Sequence, residues 1–153
     1  MRMLSEGGLI TDFEALVPLV NRTAERLRGS SIEIATQNGS HFTARIDGRE
    51  PIAANALSWN PGDVCFPPDV ECAIGAINGT GEGVVFIDGS IPHPTLGPIR
   101  EPIRVEFRGS KIVDISGGEE AEALKKVLES ANLPEHAYFM GEIGLGMNPA
   151  CSL

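Results

Sequence analysis

Two glutamates lie in apolar, glycine-rich surroundings that are unusual for a charged side chain. Glu71 stands between Val70 and Cys72, and Glu142 stands in the run GEIGLG at residues 141–146. An ionised carboxylate is costly to bury unless it is paired, hydrogen-bonded or bound to a cation. If the strand that carries Glu71 is central in a sheet, the residue is a candidate metal ligand or general base. If that strand lies at a sheet edge, Glu71 simply faces water, and the sequence leaves both interpretations open.

The other residue types that could do chemistry form no local motif. The cysteines have no CxxC spacing and the histidines have no HxH or HExxH spacing, so no local zinc motif exists. The serines lack a GxSxG context, and the glycine run at 79–83 lacks the Lys-Ser/Thr of a phosphate-binding loop. We therefore expect the cysteines to behave as small hydrophobic residues in a reduced protein. The residues concerned are Cys65, Cys72, Cys151, His41, His93 and His136.

Composition limits the class of protein. A chain of 153 residues with 42% hydrophobic and 22% charged residues predicts one globular domain over residues 1–153. The net charge of -9, with its cations scattered, argues against a nucleic-acid partner. No apolar run approaches the roughly 20 residues that span a bilayer, and the N-terminus does not resemble a secretory signal. We expect a cytoplasmic protein with no membrane partner.

The first half of the chain predicts a helix followed by a hairpin. Thr11 and Glu14 form a capping-box pattern, and the helix that it begins should end at Gly29, with a possible kink at Pro18. Strands at 31–36 and 41–46 flank Asn-Gly at 38–39, a strong hairpin signal. Residues 47–68 contain four prolines and predict irregular structure.

The second half predicts more strands and one more helix. Strands at 70–77 and 83–91 should be joined as a hairpin by the glycine turn at 79–83, and residues 91–102 should form a loop. A second hairpin is expected around Gly109-Ser110, then a helix at 119–131 and a short strand at 138–143. The fold class is therefore α+β, with a mostly antiparallel mixed sheet, hairpins and two helices.

The order of several short motifs resembles one enzyme family. The segments TQNGSHFT (36–43) and DGR (47–49) are similar to the "PGTDL…GR" segment of the thermophilic-type metallo-aminopeptidases, the leucyl aminopeptidase family, which also includes dihydroxypyridine ring-opening dioxygenases. Residues 67–83 resemble its "LPGGEVFTAPVEGSVNG" stretch, and EIGLGMNP at 142–149 resembles its "ELGIGLNP". The resemblance covers about residues 12–151.

This resemblance implies a function and a set of metal ligands. Glu71 and Glu142 would be ligands of divalent metal ions (Zn, Co or Mn), which activate a water for hydrolysis of the N-terminal residue of a peptide. The chain would be the central part of a larger peptidase-like catalytic region. The N-terminal domain and the histidine and aspartate ligands that follow "GLNP" in the family would lie outside it. We therefore expect weak metal binding and no peptidase activity from these residues alone.

Two other interpretations stay open. The chain could be a non-catalytic oligomerisation or binding module, and exposed apolar surface would favour a homo-oligomer in either case. It could also be a relative of the ring-cleaving dioxygenases that use non-haem iron, with a small molecule instead of a peptide as substrate. Metal ligands of the His/His/Asp type would then be required.

Overall fold

The computed structural model describes residues 7–151, whose contacts divide them into two compact units that alternate along the chain. The first unit contains residues 7–30, 46–75 and 142–151, and the second contains residues 31–45 and 76–141. All strand pairings among the described residues are antiparallel. The predicted α+β class is confirmed.

The described elements are three α-helices, one short 3-10 helix at Gly8–Ile10 and ten strands. The helices are α1 (Phe13–Arg26), α2 (Glu119–Glu129) and α3 (Pro134–Ala137). The strands are β1 (Ser31–Ala35), β2 (His41–Arg45), β3 (Ile52–Ala54), β4 (Glu71–Ile74), β5 (Glu82–Ile87), β6 (Ser90–Ile91), β7 (Gly97–Pro98), β8 (Ile103–Arg108), β9 (Lys111–Ser116) and β10 (Ile143–Gly146). Within residues 7–151 no helix has the length and hydropathy needed to cross a membrane.

Helix α1 begins one residue later than the capping box predicts. Asp12 is the N-cap, and its side chain accepts a hydrogen bond from the Ala15 amide at 3.2 Å. Thr11 instead donates its hydroxyl to the Asn148 side chain at 2.6 Å, so a contact distant in sequence replaces the predicted local cap. The helix ends at Arg26 instead of Gly29, and Pro18 lies within it.

The core of the first unit forms between α1 and a three-stranded sheet of order β10-β4-β3. Val20 on the helix is fully buried with Ala56 and Val70, and Phe13 and Leu16 pack against them. Residues 47–68 are predicted to be irregular, but they contain strand β3. Its three residues are too few for a sequence pattern, and they form a strand by pairing with β4. Strand β4 is therefore central, not an edge strand.

The second unit is built on a five-stranded sheet of order β1-β2-β5-β8-β9. Both predicted hairpins, β1–β2 and β8–β9, are confirmed. Helix α2 buries Ala121 and Leu124 against Ile103, Val105 and Ile115, as its apolar spacing requires. Phe42 and Phe107 pack edge to face with ring centroids 5.4 Å apart.

The predicted hairpin through the glycine turn is wrong. Strands β4 and β5, which flank that turn, belong to different sheets. The turn is instead held by the β8–β9 hairpin, because the Ser110 hydroxyl accepts hydrogen bonds from the amides of Thr80 (3.1 Å) and Gly81 (2.8 Å). The apolar composition of both strands was correctly recognised, but composition does not specify the partner of a strand.

Two further local predictions are corrected. The predicted strand at 138–143 does not form: helix α3 ends at Ala137, Phe139 makes a single bridge with Lys111, and the last strand begins only at Ile143. The predicted loop at 91–102 contains β7, which pairs with β6. Both segments are too short to show a hydrophobic period, so their contacts with other parts of the protein decide their conformation.

Candidate functional site

The structure brings Glu71 and Glu142 to one cavity of the first unit. Glu71 is the first residue of the central strand β4, and Glu142 immediately precedes β10, which pairs with β4. Both side chains line a cavity of about 430 Å³. Residues 71 apart in sequence therefore share one site because β10 pairs directly with β4.

A glycine leaves room for the Glu71 carboxylate. Gly144 of β10 lies so close to Glu71 that a Cβ at position 144 would be 2.9 Å from its Oε2 atom. A glycine inside a strand often marks a place where another group approaches the backbone closely. The glycine-rich setting of Glu142 thus shapes the space around Glu71.

Asn148 fixes the segments that carry both carboxylates. Its amide nitrogen donates to the carbonyl oxygens of Pro68 (2.8 Å) and Gly8 (3.0 Å), and its amide oxygen accepts from Thr11 and from the Ala150 amide. These bonds join the chain before β4 to the chain after β10. An amide side chain with all its groups bonded in this way holds its surroundings in one arrangement.

The electrostatic environment of Glu71 is unfavourable for a negative charge. Burial raises the pKa of its carboxyl group above the usual 4.5, and repulsion from Asp69 and Glu142 raises the pKa further. Burial also raises the pKa of the neighbouring Cys72 thiol, with the charge of Glu71 as a second cause. Cys72 is fully buried, as expected for a small core residue and not for a reactive nucleophile.

The raised pKa of Glu71 predicts a pH dependence of stability. A carboxyl group whose pKa is higher in the folded state stabilises the fold below its unfolded-state pKa, and this stabilisation is lost as the pH rises through the folded-state pKa. In metal-free protein, Glu71→Gln is therefore expected to raise the free energy of unfolding at pH 7 by roughly 0.5–1 kcal/mol. The difference should vanish near pH 4, as measured by urea denaturation at both pH values. A variant that is less stable than the wild type at pH 7 would contradict this electrostatic account.

The donor set fits part of a metal shell. Two carboxylates supply oxygen donors, and a bound cation would relieve their mutual repulsion. Within residues 7–151, however, no group of three or more His, Cys, Asp or Glu side chains is placed to hold a metal ion. His41 and His93 contact Glu33 and Thr95 in the second unit. The role of Glu71 and Glu142 as metal ligands stays a prediction.

The apolar wall of this cavity has no motif in the sequence that would predict it. Ile52, Val64 and Phe66 line the cavity together with the carboxylates, although all three side chains are exposed. Asp63 shapes the loop before Val64 and Phe66, because its carboxylate accepts hydrogen bonds from the Trp59 and Asn60 amides. The same bonds lower the pKa of Asp63. The segment has no hydrophobic period, so only its exposed apolar residues could have signalled this wall.

A comparison with family models assigns the chain to a protein family. Residues 11–153 match the model described as NicX: 2,5-dihydroxypyridine 5,6-dioxygenase. This match covers nearly the whole sequence, and the chain belongs to that family. No protein with a curated description matches the sequence significantly.

Solved structures agree with this assignment. The 2,5-dihydroxypyridine dioxygenase from Pseudomonas putida KT2440 is similar at 25% identity with a TM-score of 0.77, over 93% of this chain and 41% of that one. Wild-type AmpT from Thermus thermophilus is similar at 22% identity with a TM-score of 0.63, over 90% of this chain and 34% of that one. The chain thus spans about two fifths or less of either structure's length.

These comparisons favour one of the interpretations from sequence over another. The ring-cleaving dioxygenase alternative is better supported than the aminopeptidase interpretation, because both the family model and the more similar structure are dioxygenases. The likeness to AmpT supports a shared fold and nothing finer. The resemblance to a family that contains both enzymes is therefore confirmed in part, and its dioxygenase alternative is better supported than its preference for the peptidase.

Proposed function

We propose that this protein takes part in the oxidative opening of a dihydroxylated pyridine ring, with Glu71 and Glu142 as carboxylate donors to a divalent iron ion. The family match over residues 11–153 is the observation that carries this proposal. The cavity shared by the two carboxylates supports it, because hard oxygen donors suit a divalent cation. This chain spans 41% of the length of the similar dioxygenase, so the activity of that whole enzyme is a proposal for this chain.

The residues of this chain would contribute cation binding. Bound ferrous iron would supply the one-electron chemistry that dioxygen requires. Burial and repulsion from Asp69 and Glu142 raise the pKa of Glu71 in the metal-free chain, and a bound cation would relieve the repulsion and favour the carboxylate form that binds it. Glu142 adds a second carboxyl group to the same cavity, and paired carboxylates favour a cation over an anion.

Dioxygen uptake with 2,5-dihydroxypyridine tests the proposal. Two carboxylates alone hold a transition metal weakly, so the assay is run at saturating ferrous iron. We expect slow, iron-dependent oxygen uptake and incorporation of both atoms of labelled dioxygen into the product. Glu71→Gln is expected to lower the rate at least about tenfold. Glu25→Gln, an exposed carboxylate of α1, is the matched control and should leave the rate unchanged.

The aminopeptidase interpretation is the second candidate, and the resemblance of residues 142–149 to the "ELGIGLNP" motif is the observation that favours it. Hydrolysis of an amino-acid anilide with zinc, cobalt or manganese, without oxygen uptake on the pyridine, would favour this candidate and contradict the dioxygenase proposal. Absence of both activities together with unchanged metal affinity in Glu71→Gln would favour a non-catalytic module. Self-association and a cytoplasmic location stay predictions.

A further inference from the structure

Large apolar side chains are exposed around the carboxylate cavity. Val64 is 76% exposed, Phe66 73% and Ile52 59%, and all three line the cavity that contains Glu71 and Glu142. Single exposed apolar residues are normal on a protein surface. Three that line one cavity together with paired carboxylates instead form a wall suited to an apolar ligand surface.

The backbone holds Phe66 in a defined place. The Asp69 amide donates to the Phe66 carbonyl oxygen at 2.8 Å, which closes a turn two residues before Glu71. On the other side, Asp63 fixes the preceding loop through the Trp59 and Asn60 amides. The Phe66 ring therefore belongs to a segment that hydrogen bonds hold on both sides.

The two kinds of lining residue define the ligand chemistry. The wall can contact the face of a flat ring, since aromatic rings stack in offset or edge-to-face arrangements. The carboxylates can accept hydrogen bonds from hydroxyl groups at the edge of that ring. The cavity of about 430 Å³ falls within the range of roughly 300–1,000 Å³ that is typical of small-molecule sites.

We propose that Phe66, with Val64 and Ile52, forms the wall that receives the face of a hydroxylated aromatic ring whose hydroxyl groups point to Glu71 and Glu142. This inference rests on the proposed function for the identity of the ring. It adds residues that determine which ring binds, and Phe66 is the aromatic one among them. Phe66 is a specificity residue here, and no proton or electron passes through it.

Calorimetric titration of the full chain with 2,5-dihydroxypyridine measures the contribution of Phe66. We expect the wild type to bind the ring and Phe66→Ala to bind it about tenfold more weakly, because an aromatic contact is lost. Phe66→Tyr should keep the affinity, since the stacking face remains. Phe139→Ala is the matched control, because Phe139 is also exposed but belongs to the second unit and does not line the cavity.

Two cysteines allow an independent measurement in the same chain. Cys65 lines the cavity and is half-buried, whereas Cys151 is exposed and lies outside this cavity. Saturating 2,5-dihydroxypyridine should slow alkylation of Cys65 by iodoacetamide at least about threefold while Cys151 reacts at an unchanged rate. The protection of Cys65 should be lost in Phe66→Ala.

Several results would overturn the inference. It fails if the wild type does not bind the ring, if Phe66→Ala binds as tightly as the wild type, or if Phe139→Ala weakens binding equally. It also fails if Phe66→Ala converts a dimer to a monomer without changing ring affinity, because a second copy of the chain would then cover the wall.

The failure of this inference and the failure of the proposed function are distinguishable. Ferrous-ion binding that depends on Glu71, together with ring binding that is indifferent to Phe66, keeps the metal proposal and removes this one. Ring binding that depends on Phe66, with metal affinity unchanged in Glu71→Gln, keeps this inference and removes the metal role of Glu71.

Discussion

Replacing Gly83 with alanine is expected to destabilise the second unit by more than about 3 kcal/mol. Gly83 pairs with Phe42 in the β2–β5 ladder and has a φ of +125°, which L side chains rarely adopt. A Cβ at this position would collide with the carbonyl oxygen of His41 and lie 2.9 Å from the Cα of Phe42. Both obstacles are backbone atoms of strand β2, so β2 and β5 would have to separate to admit a methyl group. Urea denaturation followed by circular dichroism measures the loss.

Gly79→Ala separates the cost of this collision from the cost of backbone strain. Gly79 lies in the same turn with a φ of +82°, but a Cβ there meets nothing within 4 Å. The variant should therefore lose only about 1 kcal/mol, the cost of a left-handed conformation for an L-residue. Equal losses in the two variants would mean that strain alone, and not contact with β2, explains the requirement for Gly83.

Local signals account for the parts of the fold that the sequence predicted well. The hairpins around Asn38-Gly39 and Gly109-Ser110 follow from turn residues beside the strands they join, and helix α2 follows from its apolar spacing. Pairing between distant segments left no such signal. The turn at 79–83 looks like a hairpin, yet Ser110 holds it while its two flanking strands join different sheets.

The candidate site also depends partly on local sequence signals and partly on contacts between distant segments. Glu71 and Glu142 could be chosen from sequence because a charge in an apolar, glycine-rich setting requires a reason. Their meeting at one cavity depends on pairing between β4 and β10, which no local pattern specifies. The apolar wall could not be predicted either, because Val64 and Phe66 lie in a loop without any hydrophobic period. The two carboxylates could be recognised in the sequence by their residue type and setting, but which residues lie beside them depends on the tertiary structure.

Gly144→Ala is expected to impair the site while leaving the fold nearly intact. The added Cβ would lie 2.9 Å from Oε2 of Glu71, the far end of a flexible side chain that can move away. The stability cost should therefore stay below about 1 kcal/mol. The displaced carboxylate would no longer meet a metal ion or ring hydroxyl in the same geometry, and such displacements cost up to about 100-fold in rate. We expect a loss of about tenfold or more in ferrous-ion affinity and in oxygen uptake on 2,5-dihydroxypyridine.

Gly146→Ala is the matched control on the same strand, because a Cβ there meets nothing within 4 Å although Gly146 pairs directly with Glu71. It should retain wild-type metal affinity and stability within about 0.5 kcal/mol. If both variants lose metal affinity equally, the effect belongs to β10 as a strand and not to the space beside the carboxylate. If neither loses it, the Glu71 carboxylate does not bind the metal from the position that Gly144 leaves open, and the proposed donor pair is wrong.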